Sequence, residues 1–333
     1  MNTLLSRVHI DPYILSILVM VALASAFPAT GVGMTVTSGV GTAMIAAMFF
    51  LQGARLSPQA ALAGARHWRL HVVVLGSTFL LFPTIGLAAR ALAPDLLTPP
   101  LWAGLLMLCV LPSTVQSSIA FTSIARGNVA AALCAATASN LFGLLLTPVL
   151  AGLVLRAHGG FSAQSIGDIV LQLLVPFLAG QAARPWINAW VSRHRTLTAL
   201  VDRGSILLIV YAAFSEGVTH GIWHQLDAAQ FGALLLLDAA LLGIVLTATA
   251  TASRLLGFNR ADHITIVFCG SKKSLASGLP MASVLFAGQS LGLIVLPLML
   301  FHQIQLMVCA ALARRWGQHQ PVFAPAGLTV TRS

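Results

Sequence analysis

The sequence predicts an all-α polytopic membrane protein: ten membrane-crossing helices in two inverted repeats of five, with the fourth and ninth helices broken. Three observations predict it. Of the 333 residues, 58% are hydrophobic and only 8% charged, against about 25% charged in soluble domains; a soluble core cannot hide that much apolar surface. Apolar runs long enough to cross a bilayer, about 20 residues each, recur along the whole chain. The basic residues between those runs concentrate on alternate connections.

Turn and charge signals place the spans at about 12–28, 36–54, 70–92, 101–125, 128–156, 166–190, 203–220, 228–256, 261–287 and 289–314. The first also fits a cleaved signal peptide, with Arg7, an apolar run and Ala24-Ser25-Ala26. Asp11-Pro12 sits badly in that pattern and nine more apolar segments follow, so 12–28 is read as the first span.

With a cytoplasmic N-terminus, the inner side receives Arg7, Arg55, Arg66, Arg69, Arg126, Arg184, Arg193, Arg195, Arg203, Arg254, Arg260, Arg314, Arg315 and Arg332. The outer side receives Arg90 and Arg156, and Lys272 and Lys273 fall within span 9. This asymmetry follows the positive-inside rule, and a wrong span count would scramble it. The six tryptophans, Trp68, Trp102, Trp186, Trp190, Trp223 and Trp316, lie near span ends, where indole rings favour the interface. The chain therefore reads as one integral domain, 1–333, in the plasma (inner) membrane. Both termini are cytoplasmic, and 316–333 forms a cytoplasmic tail. A cytoplasmic reporter fused after Arg195 or Arg315 is expected to be active, as is a periplasm-requiring reporter fused near Gln289; the opposite pattern overturns the ten-span reading.

Repeat one covers about 12–156 and repeat two about 166–314. Spans 4 and 9 begin about 160 residues apart, and spans 5 and 10 keep nearly that offset. Five spans is an odd number, so the second half enters the membrane in the opposite sense, as in many secondary transporters. Spans 4 and 9 are also the least regular. Span 4 runs apolar to Leu111 and then reads Pro112-Ser113-Thr114-Val115-Gln116-Ser117-Ser118. Span 9 runs to Cys269 and then reads Gly270-Ser271-Lys272-Lys273-Ser274. Proline and glycine interrupt the helical ladder, and hydroxyls can satisfy the freed backbone groups. Matched breaks in inverted halves point to a solute site near the midplane. A pair of merely kinked helices with packed serines is the plainer alternative.

Other classes find little support. The net charge of +10 is scattered between apolar runs, with no basic stripe for nucleic acid. Cys109, Cys134, Cys269 and Cys309 sit inside apolar segments without zinc-ligand spacing. Gly288-Gln289-Ser290-Leu291-Gly292 matches the hydrolase elbow G-x-S-x-G, but that elbow needs a strand-to-helix turn, and here it joins two membrane helices. No catalytic residue or resident cofactor is expected.

At several of these segments the chain resembles the bile acid:sodium symporter family, in its symporter-like branch. The residues that carry the resemblance are Ala125-Arg126-Gly127-Asn128, Leu146-Thr147-Pro148, and Pro176 with Gly180-Gln181 and Arg184. In span 9 they are Ala261-Asp262, Phe268-Cys269, Lys273-Ser274-Leu275, Gly278, Pro280-Met281 and Phe286-Ala287-Gly288. The resemblance spans all ten helices. It implies a panel domain and a core domain, spans 4 and 9 crossing in the core, two sodium sites behind the crossing and an organic anion in front. Carried over residue by residue, the family's sodium ligands fall on Thr78, Ser117 and Ser118. Span 5 has Ala132 and Ala136 where the family offers hydroxyls, although Thr137, Ser139 and Asn140 lie close by. Phe268 stands where the family has its central glutamate, and Lys272 where it has a glutamine.

Ionisable groups inside a membrane cost about 2.5–3.5 kcal/mol each on insertion scales. Lys272 and Lys273 therefore read as functional or ion-substituting groups, or as snorkelling side chains. Asp238 in span 8 fits a lysine counter-ion, a proton carrier or an interfacial position. Glu216, near His220 and His224, fits a solvated loop or a proton or cation site at the outer mouth. His302, with Gln303 and Gln305, lines the cavity or serves as a satisfied core group.

The resulting expectation is a secondary carrier of a small organic, anionic solute, working by alternating access in the lipid bilayer. Ser113, Gln116, Ser117, Ser118, Ser271, Lys272, Lys273 and Ser274 would form its site, with Thr78, Thr137 and Asn140 behind. Sodium is the coupling ion the resemblance implies, and the loss of the glutamate argues against it. The rivals are a regulatory membrane protein that affects ion handling without transport, and an intramembrane enzyme. The sequence sets neither the solute nor an oligomeric state.

Overall fold

The computed structural model describes residues 12–55, 67–155, 163–219, 221, 227–286, 289 and 291–318. Every regular element among them is helical: α1 (Pro12–Ala26), α2 (Gly31–Arg55), α3 (Trp68–Leu92), α4 (Pro99–Val110), α5 (Gln116–Ile124), α6 (Val129–Leu155), α7 (Ala163–Arg193), α8 (Arg195–Thr219), α9 (Ala228–Leu255), α10 (Arg260–Gly270), α11 (Leu275–Leu285) and α12 (Leu291–Gln318). Six of these, α2, α3, α6, α8, α9 and α12, are long and apolar enough to cross a membrane, and Leu15–Ala26 and Pro99–Val110 are shorter apolar helices. Leu23, Val32, Val36, Val72, Leu153, Leu236 and other large apolar side chains lie exposed on their flanks, as surfaces facing lipid require.

The breaks lie where the sequence puts them. α4 stops at Val110 because Pro112 has no N–H to continue the ladder, and α5 begins again at Gln116. α10 stops at Gly270, and α11 begins after Ser274, whose hydroxyl accepts from the Ser277 N–H at 3.1 Å as its N-cap. α5 closes in a Schellman turn, with Arg126 N–H to Ser123 O at 3.0 Å and Gly127 N–H to Thr122 O at 2.7 Å. Arg126 takes the left-handed conformation there, at φ 60°. Asn128 then caps α6 and donates to Asp262 at 2.8 Å, and Asn259, the cap of α10, donates to the other carboxylate oxygen at 2.8 Å. The Ala-Arg-Gly-Asn run thus ties the end of one broken helix to the start of the other.

Two features depart from the sequence reading. The helix of the seventh span, α8, begins at Arg195, not about 203: only His194 separates it from α7, and Thr198 N–H already bonds His194 O at 3.1 Å. Trp102 lies in the first turn of α4 but does not face outward: it is 1% exposed and its indole N–H reaches Pro94 O at 2.8 Å. Trp68, Trp186 and Trp190 are exposed. Arg7, Arg66, Arg156, Arg332, His220, Trp223, His224, Gly288, Ser290 and most of the predicted tail lie outside the described residues.

Helices α1, α2, α7 and α8 pack on one another, and α4, α9 and α12 build the other side. The α2–α7 seam is a reciprocal glycine crossing. A Cβ on Gly53 would collide with the Phe177 carbonyl, and one on Gly180 with the Phe50 carbonyl. Small residues let membrane helices pack backbone to backbone. Between α2, α8, α11 and α12 lies a cavity of about 550 Å³, lined among others by Thr35, Ser38, Thr42, Glu216 and Ser283.

Candidate functional site

The breaks of α4–α5 and α10–α11 meet in the interior. Ser274 N–H bonds the Pro112 carbonyl at 2.9 Å, and the Ser113 hydroxyl bonds the Cys269 carbonyl at 2.6 Å. The Ser113 hydroxyl thus satisfies a backbone group that the break frees. The Ser271 hydroxyl adds a bond to Val267 O at 2.6 Å, which also accepts the Ser271 N–H at 3.2 Å, and Ser118 reaches Phe268 O at 3.5 Å. From α6, Ser139 accepts the Ser113 N–H at 3.0 Å. Asn140 donates to Ser113 O at 2.8 Å and accepts from the Ser277 hydroxyl at 2.8 Å. α6 therefore braces both half-helices at once.

Lys273 is fully buried at the centre. Its ammonium donates three hydrogen bonds of 2.8 Å, to the carbonyls of Thr78, Cys109 and Leu111, and sits 4.1 Å from the centroid of the Phe82 ring. The sequence explains why those carbonyls are free. Residues 77–81 of α3 form a π turn, in which Phe82 N–H goes to Ser77 O. The donor that would follow for Thr78 O is residue 83, a proline without N–H. Cys109 O loses its donors as well: Pro112 has none, and Ser113 N–H is given to Ser139. The ammonium thus lies at the C-terminal, negative end of α4, where the helix dipole favours a cation. Gln305 of α12 fixes the lysine backbone from both sides, accepting from its N–H and donating to its carbonyl at 2.9 Å each, and also meets His302 Nδ1 at 2.9 Å.

Lys272 points elsewhere. Its ammonium makes no hydrogen bond and stands 3.7 Å from the Phe121 ring centroid and 5.8 Å from that of Phe268, a cation–π setting. Among the described residues no carboxylate bonds either lysine. Asp238, the suggested counter-ion, is fully buried on α9 and neither of its oxygens has a partner. Glu216 lines the cavity beside α2, apart from the crossing.

The structure thus gathers Thr78, Ser113, Ser118, Asn140, Ser271, Lys272, Lys273 and Ser274 at one crossing. Thr78 enters by its carbonyl; its hydroxyl is turned back to Val74 O at 2.8 Å. Gln116 is exposed at the start of α5, Ser117 pairs with Thr114 at 2.7 Å, and Thr137 is half-buried on α6. Sequence reasoning missed Ser77, whose hydroxyl bonds Gly270 O at 2.8 Å, and Phe82 and Phe121, the two rings against the lysines. Pro83 so close to Thr78 was the signal for the first two. Ser113, Ser118 and Lys273 are spent on internal bonds and fully buried, whereas Gln116 is exposed and Ser117 and Thr137 are half-buried.

Comparison with known proteins places the chain among membrane transporters. The chain is 52% identical over 92% of its length to the protein described as "Putative symporter YfeH" of Escherichia coli (strain K12), covering 93% of it. It is 29% identical to the sodium/bile acid cotransporter 7 of Rattus norvegicus, over 93% of each chain, and 28% identical to that of Mus musculus with the same coverage. These relatives are transporters and not enzymes. The family model of the SBF-like CPA transporters matches residues 11–318. The protein with paired broken helices and a lysine at their crossing therefore belongs to the SBF-like CPA transporter family, a membrane transporter of the bile acid:sodium symporter type.

Proposed function

We propose that the protein is a secondary carrier that moves a small organic anion by alternating access, without sodium, because the Lys273 ammonium occupies the cation seat. The observation that carries this reading is the set of three 2.8 Å bonds from Lys273 to the orphaned carbonyls of Thr78, Cys109 and Leu111. Backbone carbonyls at unwound half-helix ends are the groups that bind coupling cations in carriers with broken helices. Here a side chain with three donors fills that arrangement.

The anionic class rests on charge. Lys272 and Lys273 are both fully buried and, among the described residues, neither meets a carboxylate, so the crossing carries two basic groups in a low-dielectric surround, a setting that concentrates anions. In this reading the ten spans form two inverted five-helix repeats in the plasma (inner) membrane with cytoplasmic termini, and the solute meets Gln116, Ser117 and Thr137. Relatives named as sodium/bile acid cotransporter 7 make organic anions the first class to screen.

The test is uptake into proteoliposomes, after a thermal-shift screen of organic anions has supplied a ligand. Saturable uptake at equal rates in sodium and in sodium-free choline buffer is the expected result. Steep sodium dependence would restore sodium symport through Thr78, Ser117, Ser118, Thr137 and Asn140. A ligand that binds without flux would favour the regulatory reading. Replacing Ser274 by a bulky residue such as leucine is expected to remove ligand binding while the protein still inserts, because Ser274 joins the two breaks; wild-type binding in that variant overturns the crossing as the site.

A further inference from the structure

At the arginine-rich end of the bundle, the last turn of α9, the first turns of α10 and the last turns of α12 enclose a second cavity of about 460 Å³. Arg254, Arg260, Arg315 and His263 line it, with Phe258 and Trp316. Three guanidinium groups from three helices converging on one hollow form an unusual grouping in a chain with 8% charged residues. Part of the geometry is already fixed: Arg260 donates to Trp316 O at 3.0 Å, His263 meets the Ser253 hydroxyl at 2.6 Å, and the His263 and Trp316 rings lie 5.6 Å apart. The one carboxylate on α10, Asp262, is held by Asn128 and Asn259 and does not line the cavity. The hollow is therefore lined by basic groups and, among the described residues, by no acid.

We propose that this cavity is a binding site for the phosphodiester headgroup of an anionic phospholipid, with Arg254, Arg260 and Arg315 taking the phosphate oxygens. Guanidinium forks bind phosphate through paired hydrogen bonds, and basic pockets between membrane helices bind anionic headgroups. The lipid source is favoured over a free phosphate by two features. Directly beside Arg254, Leu255 is 82% exposed and Leu256 46% exposed, an apolar flank of the kind an acyl chain covers. The volume also lies in the range of organic ligands, about 300–1,000 Å³, well above the needs of a single phosphate ion. The site is separate from the crossing but joined to it by rings: Trp316 to Phe268 at 5.5 Å, and Phe268 to Phe121 at 6.1 Å, beneath Lys272.

The test uses the detergent-purified full chain, with short-chain phosphatidylglycerol, short-chain phosphatidylcholine and inorganic phosphate as probes. Phosphatidylglycerol is expected to raise Tm saturably and to remain bound in native mass spectrometry, whereas phosphatidylcholine and phosphate do neither. Raising the salt concentration should weaken the phosphatidylglycerol effect. The triple variant R254Q/R260Q/R315Q should bind at least about tenfold more weakly, since each basic group at a membrane surface adds roughly a factor of five. Should the triple variant not fold, the single exchange Arg254→Glu, on an exposed turn, should weaken binding in the same direction. Equal stabilisation by both lipids, full reproduction of the effect by phosphate alone, or wild-type affinity in the folded arginine variants would each overturn the proposal.

Discussion

Replacing Lys273 by methionine is expected to abolish uptake and to lower Tm sharply, while Lys272→Met leaves the fold intact. The two neighbours differ only in what they touch. Methionine matches the apolar length of lysine and keeps contact with Phe82, but it offers no donor to the carbonyls of Thr78, Cys109 and Leu111. An unsatisfied buried acceptor costs about 1–3 kcal/mol, and three of them converge here, on top of the lost cation at the end of α4. Lys272 donates no hydrogen bond, so its loss removes a cation–π contact and a positive charge but strands no acceptor. A second substitution separates stability from coupling. Lys273→Ala empties the seat, and a sodium ion is then expected to restore both Tm and uptake in part. Thermal unfolding and proteoliposome uptake, each in choline and in sodium buffer, measure these outcomes. Wild-type uptake and Tm for Lys273→Met in choline would sink the proposal that this ammonium fills a cation seat.

A side chain at the α2–α7 crossing should be still more damaging. Gly180→Leu places atoms where the Phe50 carbonyl now lies, and Gly53→Leu does so against Phe177. The obstacle in each case is backbone, which has no alternative rotamer, so the helices must separate. Even one added methyl in a packed interior typically costs about 1–3 kcal/mol, and a leucine at this seam is expected to leave no monodisperse protein in detergent. Gly33 and Gly39 on the same α2 provide the control, since a Cβ at either meets nothing within 4 Å. Alanine there should be tolerated. Size-exclusion profiles of the four variants decide the matter: recovery of folded Gly180→Leu at wild-type yield would mean that the close approach is not needed.

Much of the architecture could be read in the residues because it rests on long-range patterns of composition. The breaks follow from Pro112 and Gly270, and the serines around them are needed to satisfy the backbone they expose. Helix ends followed less well. His194 looks like a loop residue in the sequence, yet the chain resumes a helix one residue later. Trp102 sits at a helix end, as the sequence suggests, but its ring is buried against its neighbours while its indole N–H bonds Pro94 O. The partners of Lys273 were the least legible part. They are main-chain carbonyls, which every residue carries, so no side-chain pattern marks them. Only the loss of their usual donors does, through Pro83, Pro112 and the bond from Ser113 to Ser139, and that loss becomes visible when three separate segments are brought together.

The π turn at residues 77–81 has a consequence for how α3 faces its neighbours. Leu70, Val74, Thr78, Phe82 and Gly86 recur every four residues and are all buried or packed inward. In an α-helix of 3.6 residues per turn such a stripe drifts around the axis by about 40° at each step. One wide turn holds an extra residue and resets that drift, so both halves of α3 present the same side to the crossing. The helix behaves like a shaft with a keyed joint. Removing a single residue from the turn would keep a rod long enough to cross the bilayer but rotate one half by about 100° against the other. Phe82 would then leave Lys273 and Gly86 would leave Cys109, so a one-codon deletion at this point changes the angular setting of a whole half-helix, while a substitution there changes one contact.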